Sequence, residues 1–432
     1  MLVYFVLIAA CAATWSTASA QTVNTNEVER MITTLAADEM RGRAALSDDI
    51  ARAADFIATE FKAAGLEPYA EDNFRQSFEV TKVTPGPESV FVNGKPVREQ
   101  DFIVMNSSPE LAWDEHSDVE VLHIRSGEDF SARFREIVRN NPKNNLVWVD
   151  PSFGPMLARF KKILSRENVL PKEGSGLANA PSKVFVLRKR KVKNFTVKAQ
   201  AIHEDFPLFN VAAVIPGKSK ADEFVVFSSH YDHLGILDAV GRDSIANGAD
   251  DDASGTTAML TLAKHFKKAD INERTLIFVA FTAEEIGMFG SKYFSTHIDA
   301  DKVTAMINME MIGKDSKFGP NTLYITGYHN SNLGALMQEK VKGTAFTFYA
   351  DPYPTQNLFY RSDNAVLAAL GVPAHTFSTS QMDKDRYYHT VKDELSTLDI
   401  QNIKASIEAI ALGVDGIVRG EQTPSRVEKL AD

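Results

Sequence analysis

At 432 residues the chain is long enough to bury a substantial core, as one large domain with an insertion or as two. Its 44% hydrophobic and 24% charged residues are those of a soluble globular protein. The formal net charge of −10, from 47 basic against 57 acidic side chains, argues against a nucleic-acid or anionic-membrane partner.

The N-terminus reads as an export signal. Leu2 to Ala13 is apolar but too short to span a bilayer, and Ala18-Ser19-Ala20 supplies small residues for cleavage, giving a signal peptide over 1–20. The stretch departs from the usual pattern in having no Lys or Arg ahead of the apolar run. Ile8-Ala9-Ala10-Cys11 offers the alternative of a lipoprotein anchored at Cys11. Both routes lead out of the cytoplasm, to a periplasmic or secreted location. Cys11 is the only cysteine, so the processed chain has no thiolate to offer, and a metal site must be built from nitrogen and oxygen.

Thr25 to Ala37 and Ser47 to Ala64 are expected to be helices; the second repeats Ile50, Ala54, Ile57 and Phe61 at helical spacing and stops at Gly65. From Asn73 to Val97 the pattern predicts short strands broken by Pro85, Gly86, Pro87 and Gly94. Residues 21–100 are therefore the N-terminal part of the main domain. Residues 101–205 lack a clear βα rhythm and are expected to be an inserted, small β-rich subdomain. Within it fall a strand at Leu146 to Val149, a basic helix near Met156 to Ser165, a loop over 174–181 and a basic cluster, Arg188 to Lys191, which reads as a solvated loop or edge.

From Asn210 onward, within a domain of 206–432, strands are predicted at 210–215, 223–229, 274–281, 302–309, 321–326 and 372–377. Helices are predicted at 253–268, 287–296, 331–342, 363–370 and 398–418. Strands alternating with helices imply an α/β fold: a mostly parallel, mixed sheet with helices on both faces, and ligands held beyond the carboxyl ends of its strands.

Candidate functional residues lie just past those strand ends. His230 and Asp232 form a His-x-Asp pair, in which a carboxylate on one imidazole nitrogen fixes the tautomer of a ligand presented by the other. His233, beside them, is assigned no role. Asp250, Asp251 and Asp252 precede a helix, where acids cap the terminus. Three adjacent acids also repel one another, which a metal pair would relieve, and Asp251 is the candidate bridge. Glu284 and Glu285 follow an apolar strand; successive side chains diverge, so Glu285 suits ligation and Glu284 a general base. Glu310 is an isolated acid in the apolar run Met306 to Ile312, where a cation is a natural partner. His389, in Tyr387-Tyr388-His389-Thr390, is the last ligand candidate, whereas His375 reads as structural. Three ligating carboxylates and a bridging hydroxide would neutralise two divalent cations; zinc suits a nitrogen and oxygen set, with cobalt or manganese as substitutes.

These ordered motifs resemble the co-catalytic zinc aminopeptidases of the bacterial leucyl aminopeptidase type, a superfamily shared with transferrin-receptor-like carboxypeptidases and glutaminyl cyclases. The resemblance covers Asn210 to about Gly420, together with Met40-Arg41-Gly42-Arg43 and Phe61 to Pro68. It implies two zinc ions, one held by His230, Asp251 and Glu310 and the other by Asp251, Glu285 and His389. It further implies Asp232 as the orienter of His230 and Glu284 as the acid/base. Tyr388 matches a tyrosine that stabilises the tetrahedral intermediate in the carboxypeptidase branch, with pocket lining as the other reading. Arg361-Ser362-Asp363-Asn364 resembles a family stretch near the substrate pocket, which implies Phe359, Tyr360 and Asp363 as residues lining it. Two features depart from the family: many members carry aspartate at the position of Glu310, and the insertion matches the protease-associated domain of relatives poorly. The expected function is an exported aminopeptidase acting on peptides, without a membrane span. A carboxypeptidase or dipeptidase, then a glutaminyl cyclase, are the alternatives; a non-catalytic relative would have lost ligands that are all present here.

Overall fold

The computed structural model describes residues 23–70, 73–106, 108–164, 167–172, 181–188 and 192–430. The expected signal over 1–20, Cys11, nearly all of the 174–181 loop and residues 189–191 of the basic cluster lie outside the described residues.

Two N-terminal helices form where the apolar spacing places them. In Thr25–Leu35, Val28, Met31, Ile32 and Leu35 share one buried stripe, and the side chain of Asn24 caps the first turn by accepting from the amide of Asn26. Ile50–Ala63 buries Ile50, Ala53, Ala54, Ile57 and Phe61, then turns at Gly65, whose φ of +75° favours glycine. Both pack on the layer formed by Gly255–Ala269 and Ile400–Val418.

The centre of the molecule is a mixed sheet. Ala374–Ser378, Val303–Met309, Lys220–His230 and Arg274–Phe281 lie side by side and parallel. All eight residues of Arg274–Phe281 are buried, as expected of a strand covered on both faces. Helices Thr25–Leu35, Ile50–Ala63, Gly255–Ala269 and Ile400–Val418 cover one face; Phe294 from Phe289–Thr296 and Leu367 and Ala368 from Asn364–Ala369 cover the other. Beyond the parallel core the sheet continues antiparallel, through Phe195–Ile215 to Arg75–Val92 on one side and through Thr322–Ile325 on the other.

Arg75–Val92 is one strand of 18 residues, not the series of short strands its prolines suggest. It pairs with Phe195–Ile215 along nearly its whole length, and the register shifts between Ala199 and Ala201, opposite Pro85 to Glu88. The prolines thus fall at a bulge, where the ladder is already interrupted and a missing N–H costs little. The following segment is also more helical than its sequence suggests. Phe102–Met105, Lys183–Leu187, Asn145–Val149 and Glu120–Ile124 form a four-stranded sheet in that order, with the last three parallel and joined through helices Phe130–Asn140 and Gly154–Leu164. One face packs on Phe130, Phe134 and Leu157. The other packs through Leu146, Trp148 and Val184 on Phe195 and Val197 of the long strand pair. Among the described residues no helix is long and apolar enough to cross a membrane.

Candidate metal centre

Parallel strands expose their last carbonyls and the following loops at one rim, so that rim collects side chains from distant parts of the sequence. His230 is the final residue of Lys220–His230. Glu284 and Glu285 follow Arg274–Phe281 by a short turn, and Glu310 follows Val303–Met309 directly. Asp251 enters from the irregular turn Ala249–Ser254, and His389 from a loop where its backbone is left-handed, with φ +58°.

The structure brings these groups together around Asp251. Its Oδ1 lies 3.1 Å from His230 Nε2, and its Oδ2 lies 3.3 Å from His389 Nε2. Glu285 Oε2 is 3.1 Å from the same His389 nitrogen. His230, Asp251 and Glu310 offer ligand atoms that all lie within 4.8 Å of one another; so do His233, Asp251 and Glu285. Asp251 belongs to both groups and is the only one of the three adjacent aspartates that faces the cluster.

Its neighbours are engaged with the backbone. Asp250 accepts from the amide of Gly313 at 2.7 Å and meets Lys314 at 3.3 Å. Asp252 accepts from the amides of Gly255 and Met311, each at 3.1 Å, and so closes the start of helix Gly255–Ala269 against the strand that delivers Glu310. The amide of Asp251 in turn donates to Asp393 at 3.0 Å, and Asp393 shares Lys314 with Asp250 and Asp385.

Asp232 does more than a partner for His230 need do. The contact that orients His230 is the main-chain carbonyl of Asp232, 3.1 Å from Nδ1, while the carboxylate stands 3.7 Å away. That carboxylate accepts from the amides of Glu284 at 3.1 Å and Glu285 at 3.3 Å, tying the loop of the two glutamates to the loop of the first histidine.

The electrostatics of the rim are those of crowded buried acid. Burial pushes Glu310, Asp363 and Asp250 each up to about 7. Burial, reinforced by the charges of Glu310, Asp363 and Glu285, carries Glu284 well above the ordinary range. Burial alone would lower His230, yet Asp232 and Asp251 outweigh it and lift the imidazole well above its usual value. Burial would likewise raise Asp251, but His230 and His389 hold it well below. Such an excess of buried carboxylate is stabilised by cations. Two atoms of the first group fit that need directly: His230 Nε2 and Glu310 Oε2 are buried without a hydrogen-bond partner among the described residues.

A cavity opens beside Glu310, walled by Tyr324, Leu358, Arg361, Ser362, Met382 and Tyr388. The residues matched by resemblance, Phe359, Tyr360 and Asp363, do not line it. Phe359 packs into the core, 5.4 Å from the ring of His375, and Asp363 is fully buried beneath the rim. The cause is the 3₁₀ turn Leu358–Tyr360: side chains three apart eclipse, so Leu358 and Arg361 face the cavity together and Phe359 turns inward. Tyr388 does line the cavity, and its ring stacks on that of His389 with centroids 3.8 Å apart.

His375 is structural. Its Nδ1 lies 2.8 Å from the carbonyl of Thr326 and its Nε2 2.7 Å from the hydroxyl of Ser331. His233, given no role from the sequence, lies inside the cluster with Nδ1 2.7 Å from Glu285 Oε1. Its signal was present in the His-Tyr-Asp-His spacing, which returns a second imidazole to the same loop. Arg43, Lys314 and Asp393, which tie the loops of this rim together, carry no comparable signal because each acts only through distant backbone or charge.

Fold and rim together define a mixed α/β protein with its histidines and carboxylates converging at the carboxyl ends of parallel strands. Residues 210–414, which contain every member of the cluster, match the model of peptidase family M28. A probable leucine aminopeptidase of Trichophyton verrucosum is 30% identical over 223 residues, covering 49% of this chain and 55% of that protein. The aminopeptidase YwaD of Bacillus subtilis is 22% identical over 247 residues, covering 55% of this chain and 50% of that protein. The chain thus spans about half the length of these curated relatives. Among solved structures, an aminopeptidase from Aneurinibacillus sp. strain AM-1 superposes with a TM-score of 0.54 at 19% identity, covering 95% of this chain and 96% of that one. A zinc aminopeptidase from Bacillus subtilis superposes at 0.53 and 14% identity, covering 95% and 99%. At such identities the likeness is one of fold.

Proposed function

We propose that the chain is an exported zinc aminopeptidase that removes N-terminal residues from peptides. The observation that carries this reading is Asp251 standing between His230 with Glu310 and His389 with Glu285, with a further carboxylate, Glu284, beside them. His230, Asp251 and Glu310 would hold one zinc ion; Asp251, Glu285 and His389 would hold a second. When bound, two such ions acidify water and polarise a peptide carbonyl.

The rest of the chemistry falls to the chain itself. Glu284 takes a proton from the attacking water and delivers it to the leaving amine, and burial, by raising its pKa, favours that carrier role. Asp232 holds the turn of the two glutamates, keeping Glu284 and Glu285 pointed to different tasks. The hydroxyl of Tyr388 donates to the oxygen on which negative charge develops. The cavity between Leu358, Arg361 and Tyr388 receives the side chain of the scissile residue. Export is supported by the apolar Leu2 to Ala13 stretch and the small residues Ala18 to Ala20. The aminopeptidase reading is supported by the activities for which the relatives are named.

The test combines zinc analysis with aminoacyl anilides and N-blocked peptides. Two zinc ions per chain and cleavage of free N-termini alone are expected; cleavage of N-blocked peptides alone would replace this reading with a carboxypeptidase. Glu284→Gln should lower turnover roughly 100- to 10,000-fold while both ions stay bound. Near-normal turnover in that variant would remove Glu284 from the proton-carrying role.

A further inference from the structure

His233 is 2% exposed and its ring is held on several sides. Its amide donates to the carbonyl of Arg43 at 3.1 Å. Gly248, with φ +56°, lies flat against the ring: a Cβ at that position would come within 2.6 Å of His233 Cγ and Cδ2. The ring of His389 meets it edge-on with centroids 5.8 Å apart. Held in this way, the imidazole directs Nδ1 at one oxygen of one carboxylate, Glu285 Oε1, at 2.7 Å; Asp251 Oδ2 is farther, at 3.8 Å. Its Nε2 is buried without a hydrogen-bond partner among the described residues, so Nδ1 is the nitrogen through which the ring engages its neighbours.

The two oxygens of Glu285 are thereby made unequal. Oε1 lies 2.7 Å from His233 Nδ1, and Oε2 lies 3.1 Å from His389 Nε2, on the side of Asp251. A carboxylate free to rotate could present either oxygen or both to a cation; one pinned through Oε1 presents Oε2.

We propose that His233 is a positioning residue for the second cation site, holding Glu285 through Oε1 so that Oε2 is the oxygen presented beside Asp251 and His389. The inference rests on the zinc reading above and adds to it a residue outside the expected ligand set. Outer donors of this kind typically change metal affinity 10- to 100-fold when removed.

The experiment titrates zinc into the metal-free full chain, wild type and variant, against a chromophoric chelator. In His233→Leu one of the two zinc sites should lose about 10- to 100-fold in affinity while the other is unchanged. His233→Asn should restore most of that loss, because its amide nitrogen sits one bond beyond Cγ, as Nδ1 does. Unchanged affinity at both sites in His233→Leu, or equal loss in both variants, would overturn the proposal. So would a structure of the zinc-loaded protein with Nδ1 at about 2.1 Å from an ion, which would make His233 a ligand. A wild-type chain that binds fewer than two zinc ions would overturn the dinuclear reading first and this proposal with it.

Discussion

At the scale of single residues, burial and partners separate side chains that composition treats alike. His375 and His230 are both buried on strands of the parallel core, yet His375 has a carbonyl on one nitrogen and a hydroxyl on the other, so burial pushes it down to about 4. His230 has carboxylates for neighbours and moves the other way. The consequence for stability follows from linkage. A histidine whose folded pKa lies below its unfolded value stabilises the fold fully above the unfolded pKa of about 6.5, and that contribution is lost as pH falls toward the folded value. Between pH 7 and pH 4 the folded protein should lose about 3 kcal/mol through His375. Measured by urea unfolding of the metal-free chain, the stability gap between wild type and His375→Asn should shrink by about that amount over the same range. A gap that stays constant would show that His375 binds its proton equally in both states.

At the scale of elements, the rim is held by side chains that reach from one loop to another. Arg43 is the clearest case. Its guanidinium is 1% exposed and donates to the carbonyls of Leu35, Tyr231, Asn247 and Gly248. Those carbonyls belong to the first helix, the loop after His230 and the turn before Asp251, so one side chain fixes the N-terminal segment to two ligand-bearing loops. Nearby Asp251, Asp232, Asp393 and Asp252 favour its charge against the cost of burial. Arg43→Met would strand four carbonyls and leave those aspartates without the cation. We expect a loss of roughly 3–5 kcal/mol in unfolding free energy, read by chemical denaturation. A loss below about 1 kcal/mol would mean that water replaces the guanidinium at little cost. Lys314, between Asp250, Asp385 and Asp393, ties the loop after Glu310 to the loop of His389 in the same way.

At the scale of the whole molecule, the candidate ligands come from residues 230 to 389 and meet only because four parallel strands end at one rim. Cations bound there would cross-link the loops in the folded state alone. Metal removal should therefore act on stability as well as activity: at free zinc about 1,000 times the dissociation constant, binding adds roughly 4 kcal/mol. Dialysis against a chelator should abolish peptidase activity and lower the midpoint of thermal unfolding, and zinc should restore both. An unfolding midpoint indifferent to zinc would argue that the rim holds no tightly bound ion. The four-stranded α/β unit packs on the long strand pair through Trp148, Val184 and Phe195 and contributes none of the cluster residues.

The sequence by itself determined what local chemistry can determine. The strands over 223–229 and 274–281 were legible because continuous apolar runs belong to strands covered on both faces. The long C-terminal helix was legible because its pattern repeats every turn. As candidates, His230, Glu285 and Glu310 each follow such a run, where a titratable group is costly without a purpose, whereas Asp251 was read from its acid triplet and His389 from the motif Tyr387-Tyr388-His389-Thr390. Tertiary structure decided what depends on side chains far apart in the chain. The strand Arg75–Val92 absorbs its prolines because they fall at its own bulge, where Gly86 and Pro87 stand opposite Gln200 of the partner strand. Leu358 and Arg361, rather than Phe359, Tyr360 and Asp363, face the cavity because a 3₁₀ turn sets their direction. His233 gains a role only when the loop of Glu285, 52 residues away, brings a carboxylate oxygen to its Nδ1. Periodicity records which residues must be buried; the direction of a side chain and the identity of its neighbour are settled only when separate loops are packed against one another.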